Sequence, residues 1–400
     1  MPTPQRISRL RSYQRGRSGE LSAPRLRRDS PERAGLDPGE LHHLVQGVHD
    51  LTTGDHPWAA GTVVVAGRGP VIAVEAAAGW AVRYSAYDPD TDRGVELPPS
   101  DRVPMTVDTP VDLASLTKLF TAVAAVQQIE RGTLGIDARV GAYLPEFRAA
   151  VRHGITVREL LTHTSGLRPE LPLYDCADDT ERLERLRAEV PIGVRGTYTY
   201  SDLNFLLLQF VLERVSGRTL DVLIHDGITR PLGMLSTDFG PCPGAAATED
   251  QRRPWAKVDR GMVRGVVHDE NAWALGGIAG HAGLFSTARD LAVFCRTLLA
   301  GGSYGPARIL GADFVELLLT PPGLGFAVDQ AWFMGELAGR GAAGHTGFTG
   351  TSVVLDPATD TFLVLLANAV HPRRRGPDSR PRAAAATRLA RAVYRSPSGP

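Results

Sequence analysis

Lysine is nearly missing from this chain. Of its 44 lysine and arginine residues, only Lys118 and Lys257 are lysine. A guanidinium stays charged through the whole working pH range, so arginine cannot serve where a cation has to give up its proton. A lysine kept among so many arginines therefore marks a position where proton loss matters. Cysteine is scarce too. Cys176, Cys242 and Cys295 are odd in number and far apart, which excludes a disulfide framework or zinc-type spacing and points to reduced thiols in a cytosolic compartment. No stretch approaches the ~20 apolar residues of a membrane span. The segment from Leu21 to Leu36 is broken by Pro24, Arg25, Arg27, Arg28, Asp29 and Pro31, so neither a secretory leader nor a twin-arginine signal is read there, and a cytoplasmic location is expected. The formal net charge is zero, which leaves no global field for nucleic acid or an anionic membrane. The sequence has no G-x-S-x-G elbow, H-E-x-x-H pair, P-loop or dinucleotide fingerprint. Its 11 histidines are scattered, and neither His42-His43 nor His268-Asp269-Glu270 has metal-ligand spacing, so no metal is expected.

What is present begins with uneven charge. The first 28 residues hold eight arginines and a single acid, Glu20, and Arg373-Arg374-Arg375 is followed by Arg380 and Arg382. Without interleaved aromatics these ends read as solvated tails rather than nucleic-acid contacts. Residues 1–29 are read as a disordered arginine-rich tail and residues 30–400 as one domain. With 400 residues, 43% of them hydrophobic, the chain can bury a large core.

Pro38 to Val48 has a helical pattern. Gly61 to Ala66 and Pro70 to Ala76 are β-rich runs around Gly67-Arg68-Gly69, a hairpin signal. A loop rich in proline and aspartate fills Tyr87 to Pro110. From Ser115 the period becomes helical, with Leu116, Leu119, Phe120, Val123 and Val126 on one face, Asp112 as a capping candidate and Gly132 as the stop. Further helices are expected at Val157–Leu161, Thr180–Val190, Leu203–Val215 and Leu291–Leu299. Strands return at Thr351–Leu355 and Thr361–Ala367, flanking the turn Asp356-Pro357-Ala358-Thr359-Asp360, and Ala383–Tyr394 closes the chain as a helix. This order predicts an α+β fold. An antiparallel sheet is built from both chain ends (about 30–114 and 300–400), with a mainly helical lobe (about 115–299) inserted.

Three motifs carry chemistry. Ser115-Leu116-Thr117-Lys118 opens a helix and places hydroxyl and amine on one face, near the unpaired amides and positive end of the helix dipole. Ser115 is a candidate nucleophile and Lys118 a candidate general base, whose pKa would have to fall by burial. Tyr198-Thr199-Tyr200-Ser201-Asp202 lies on a loop before a helix, where a tyrosine can relay a proton. Gly344-His345-Thr346-Gly347-Phe348-Thr349-Gly350 enters a strand, and its small residues let backbone approach a ligand closely.

Taken in this order and context, the motifs resemble the serine β-lactamase and penicillin-binding-protein superfamily, in particular its branch of class C β-lactamases, D-Ala-D-Ala carboxypeptidases, D-aminopeptidases and family VIII esterases. The resemblance spans about Ser30 to Tyr394 and includes Leu160-Leu161-Thr162-His163-Thr164-Ser165-Gly166-Leu167, Pro231-Leu232-Gly233-Met234 and Gly280-His281-Ala282-Gly283-Leu284-Phe285-Ser286-Thr287. It implies a β-lactamase/transpeptidase-like fold. It also implies acylation of Ser115 with Lys118 taking the proton, Tyr200 sharing the transfer, and substrate pairing along His345, Thr346 and Gly347. The oxyanion hole would be formed by the backbone N–H groups of Ser115 and Phe348, and no cofactor is implied. His163 and His281 are read as structural.

Two departures concern substrate. Asp202 stands where the family's asparagine holds an acylamide, and either orients Lys118 or receives a substrate ammonium. His345 stands where true β-lactamases have lysine. The expected substrate is a small ester, amide or D-amino-acid peptide. A β-lactamase or D-Ala-D-Ala carboxypeptidase is the alternative enzyme, and a catalytically silent binding relative the alternative of another class. The loop Arg168–Thr180 and the surroundings of Trp255 and Trp273 are expected to shape the pocket.

Overall fold

The valine run Gly61–Arg68 forms a strand whose first seven residues are all buried. Its alternate side chains enter two separate cores: Val63 and Val65 join one, Val64 and Ala66 the other. A strand covered on both faces reads as continuous apolar sequence rather than as alternation, and each buried valine contributes about 1.5–3 kcal/mol relative to exposure. This strand lies near the middle of the principal sheet. The computed structural model describes residues 23–376 and 378–395. Seven strands make the path: β1 (Arg27–Arg28), β2 (Gly61–Arg68), β3 (Val71–Val82), β4 (Ala327–Val328), β5 (Ala343–Thr346), β6 (Ser352–Asp356) and β7 (Thr361–Ala367). Their order is β1-β3-β2-β7-β6-β5-β4, with Val103–Pro104 pairing onto the end of β3. All pairs along the path are antiparallel except β1 with β3. The junction between the two chain ends is β2 with β7, in register from Thr62↔Ala367 to Arg68↔Thr361.

One face is covered by α1 (Pro38–Asp50) and the C-terminal helix, the other by the body of the chain. Asp37 caps α1 through Glu40 N–H at 2.8 Å, and Pro38 occupies its first position, as helix starts favour. The remaining principal helices are α2 (Thr117–Glu130), α3 (Asp202–Ser216), α4 (Ala288–Leu299) and α5 (Arg380–Arg395). Residues 117–128 of α2 are buried all round, so the one-sided pattern read from the sequence understates its position: it is the central helix of the larger core.

The order of strands, helices, strands and final helix agrees with the expected α+β architecture, and four expectations change. Structure begins before Ser30: Arg27–Arg28 pairs with Val71–Ile72 and Ala23 bridges Gly305. The part of the expected tail at residues 1–22 lies outside the described residues. The hairpin strand read as ending at Ala76 continues to Val82, because Ala77, Ala78 and Gly79 still satisfy the backbone ladder with β2 and Trp80 and Val82 pair with Val103–Pro104. The loop read across Tyr87 to Pro110 contains Arg93–Glu96, paired with Tyr84–Asp88. The basic C-terminal segment is not simply solvated either. Arg374 and Arg382 are largely covered, Arg382 being 8% exposed.

Candidate active site

A small three-stranded sheet delivers Ser115. Val111–Asp112 pairs with Phe285–Ser286, and Leu284–Phe285 pairs with Asp238–Phe239 on the other side. The chain then turns through Ala114, whose φ of 46° lies in the left-handed region that non-glycine residues avoid. The Asp112 carboxylate accepts from Ala114 N–H at 2.8 Å and so holds the turn. Ser115 occupies a short 3-10 turn, Ala114–Leu116, that leads into α2. Lys118 is fully buried and one turn further on.

The Lys118 ammonium donates to Ser115 Oγ at 2.9 Å and to the His281 carbonyl at 3.1 Å, and pairs with Asp202 Oδ1 at 2.7 Å. The Tyr200 hydroxyl donates to Ser115 Oγ at 2.8 Å, and Lys118 Nζ lies 4.9 Å from the Tyr200 ring centre. Ser115, Lys118, Tyr200 and Asp202 are thus brought together from three elements. Lys118 departs from expectation in one respect. Burial lowers its pKa, but the Asp202 carboxylate and Tyr200 outweigh that, and the net shift is upward. The amine is a cation at rest. Burial alone would lower its pKa, but Asp202, 84 positions away in sequence and already a candidate to orient Lys118, holds it charged. Burial raises the Tyr200 phenol as well, against the pull of Lys118.

The loop carrying Tyr200 is pinned by His163. The His163 carbonyl accepts from Thr199 N–H at 2.8 Å, and Nδ1 accepts from Ser201 N–H at 3.1 Å. His163 lies well below its ordinary pKa through burial and then the Lys118 charge, as suits a neutral acceptor. His281 is also buried, with Nε2 at 2.9 Å from Asp269.

The strand β5 brings His345 and Thr346 to the same cleft, followed by Gly347 and Phe348. His345 is pushed down to about 4 by burial and then Lys118, so it is neutral at pH 7. Its Nδ1 lies 2.7 Å from the Thr346 carbonyl. A carbonyl can only accept, so Nδ1 carries the hydrogen and Nε2 is left as an acceptor. Gly347 must be glycine: a methyl there would collide with Thr351 Oγ1 and the Leu113 carbonyl. From α5, Arg382 donates to the carbonyls of Gly347 (2.8 Å) and Thr351 (3.2 Å).

The cleft has a volume of about 680 Å³. Its aromatic walls include Trp58, Tyr198, Trp332 and Phe348, with Arg375 also lining it. Trp255 and Trp273 are not among its walls. Trp255 packs edge-on against Tyr87 at 5.0 Å, and Trp273 lies 5.0 Å from the Arg260 guanidinium. No local signal pointed to Trp58 or Trp332, because they come to the cleft from segments far apart in the sequence. Behind Phe348 lies a charged array. His268 stacks on the Phe348 ring at 5.6 Å and Arg374 sits 5.5 Å over it. Glu249, fully buried, lies 2.9 Å from His268 Nε2 and accepts from Arg374 Nε at 2.8 Å. Asp202, Asp269 and His281 also cluster closely, but the Lys118 ammonium at Asp202 occupies the place of a counter-cation.

The Beta-lactamase family matches residues 52–388 of the chain. The protein belongs to the beta-lactamase family. It is accordingly a member of the serine β-lactamase and penicillin-binding-protein-like hydrolase superfamily. A protein of Escherichia coli K12 named "Putative D-alanyl-D-alanine carboxypeptidase" is 31% identical over 412 residues, covering 93% of this chain and 92% of that protein. The fold of this family member is shared with EstCE1, described as a hydrolase with promiscuous acyltransferase activity (TM-score 0.66, 23% identity, 88% of this chain and 98% of that one). It is shared also with a class C beta lactamase from Rhodobacter sphaeroides (TM-score 0.64, 21% identity, 89% and 98%). No helix among the described residues is long and apolar enough to cross a membrane.

Proposed function

We propose that this family member is a serine hydrolase that works through an acyl-enzyme on carboxylic esters or small amide and D-amino-acid peptide bonds. The observation that carries the reading is a hydroxyl held between two proton-bearing groups: Ser115 Oγ lies 2.9 Å from Lys118 Nζ and 2.8 Å from Tyr200 OH. Ser115 attacks the carbonyl carbon, and the backbone N–H groups of Ser115 and Phe348 receive the oxyanion. Lys118 is the base. Because it is a cation at rest, it first passes its extra proton to Asp202. Substrate filling the cleft excludes water and favours the neutral acid–amine pair over the ion pair. The amine then takes the serine proton, and Tyr200 relays it to the leaving oxygen or nitrogen. Water repeats the sequence and frees the acid.

A neutral His345 cannot supply the cation that lysine offers a substrate carboxylate at this position, which favours esters and amides over β-lactams. The second reading, a D-Ala-D-Ala carboxypeptidase or β-lactamase, is favoured by the name of the Escherichia coli relative and by Arg375, a cation lining the cleft. The test is one panel on the purified protein: short p-nitrophenyl esters, D-aminoacyl amides, a D-Ala-D-Ala peptide and nitrocefin. Ester turnover that disappears in Ser115→Ala supports the reading, and full activity in that variant removes Ser115 from its role. A silent binding relative takes up neither fluorescent penicillin nor a fluorophosphonate.

A further inference from the structure

One fully buried residue bonds to the chain neighbours of both donors of the proposed oxyanion hole. Asp112 is 0% exposed. Its Oδ1 accepts from Ala114 N–H at 2.8 Å, and Ala114 immediately precedes Ser115. Its own carbonyl accepts from Thr349 Oγ1 at 2.7 Å, and Thr349 immediately follows Phe348. Its Oδ2 accepts from His268 N–H at 2.6 Å, and the His268 ring stacks on Phe348 at 5.6 Å. The next residue repeats the tie, since the Leu113 carbonyl accepts from Thr351 Oγ1 at 3.1 Å. The left-handed turn at Ala114 is a conformation that persists only where surrounding bonds enforce it.

We infer that Asp112 is a positioning residue that sets the gap and tilt between the Ser115 and Phe348 N–H groups, with Thr349 as its link to the second of them. The inference rests on the acyl-enzyme reading above and extends it. Two donors on different segments of the chain stabilise one oxyanion only if their separation is fixed before the reaction. In this molecule a single aspartate, through its carboxylate and its carbonyl, makes that connection. Asp112 touches no substrate and acts through the residues beside each donor.

The test uses Thr349→Val, which removes the hydroxyl while keeping shape, Thr349→Ser, which keeps the hydroxyl, and Asp112→Asn. Each is measured for p-nitrophenyl ester turnover per fluorophosphonate-titrated Ser115, and for inhibition by an arylboronic acid, whose tetrahedral serine adduct places an oxygen in the hole. Thr349→Val is expected to lose about tenfold in kcat with KM within about twofold, and to weaken boronate inhibition in the same proportion. Thr349→Ser should restore both to within about twofold. Asp112→Asn, which turns one acceptor into a donor facing an N–H, should lose about a hundredfold. A merely structural role would lower melting temperature and the titrated fraction but leave kcat per titrated serine and boronate inhibition unchanged. That result in Thr349→Val overturns the inference even if Asp112→Asn does not fold. A wild type that takes up no fluorophosphonate overturns the acyl-enzyme reading itself, and this inference with it.

Discussion

Two buried ion pairs lie beside the cleft and are built from different cations. Lys118 meets Asp202 at 2.7 Å next to Ser115. Arg374 meets Glu249 at 2.6 Å behind Phe348. In the first pair the carboxylate keeps 21% of its side chain exposed, and the cation is one that can release a proton. In the second the carboxylate is fully covered, and the cation is one that cannot. The lesson is a division of labour: a pair whose proton is to move uses lysine and keeps a path to water, and a pair that must hold a shape uses a planar fork. The chain's extreme bias towards arginine makes the exception legible.

The sharpest break of the comparison is Lys118→Arg. It preserves charge and removes the base, so ester turnover should fall by about a thousandfold or more while circular dichroism and melting temperature show a folded protein; an active arginine variant would end the proton-transfer role. Next is Glu249→Gln, which removes one of the two buried carboxylates on Arg374, leaving Glu270, and should cost about 2–3 kcal/mol in denaturant unfolding. The same glutamate sets an acid limit. Its pKa is pulled to about 2 against the opposing effect of burial, by His268 and Arg374. A lowered native pKa means the contribution is fully present above the unfolded value near 4.5 and is lost as pH falls towards 2, on the order of 3 kcal/mol in all. In Glu249→Gln that part of the stability–pH curve should flatten. Asp202→Asn removes the carboxylate that accepts the extra Lys118 proton, so the acid limb of kcat/KM should move to higher pH, towards the lysine's own titration. The smallest effect belongs to Lys257→Arg. Lys257 pairs with Glu170 at the surface, and its replacement should change stability by no more than about 0.5 kcal/mol.

The sequence displayed one of these pairs and hid the other. Lys118 stood out because of its rarity, and Ser115, Tyr200 and His345 lie in motifs whose spacing survives without coordinates. Local signals sufficed for the turn at 356–360 and for the helix Val157–Leu161, where chain neighbours alone decide the backbone. Glu249 and Arg374 are 125 residues apart, and each sits in a segment whose composition resembles solvated surface. Their partners exist only after the lobes meet, so periodicity carried no trace of them. The direction of the Lys118 shift still needed the structure: burial and Asp202 act in opposite senses, and only the 2.7 Å approach of the carboxylate decides between them.

The pairing of β2 with β7 joins residues 61–68 to residues 361–367. A nascent chain emerging from the ribosome therefore carries an unfinished sheet edge while the long stretch between the two strands is made. The valines of Gly61–Arg68 pair early with β3 and wait for β7 on their other side. Contacts of such long sequence separation slow folding and prolong the exposure of sticky surface. Yield in a heterologous host should consequently depend more on chaperone supply and growth temperature than on the stability of the finished enzyme.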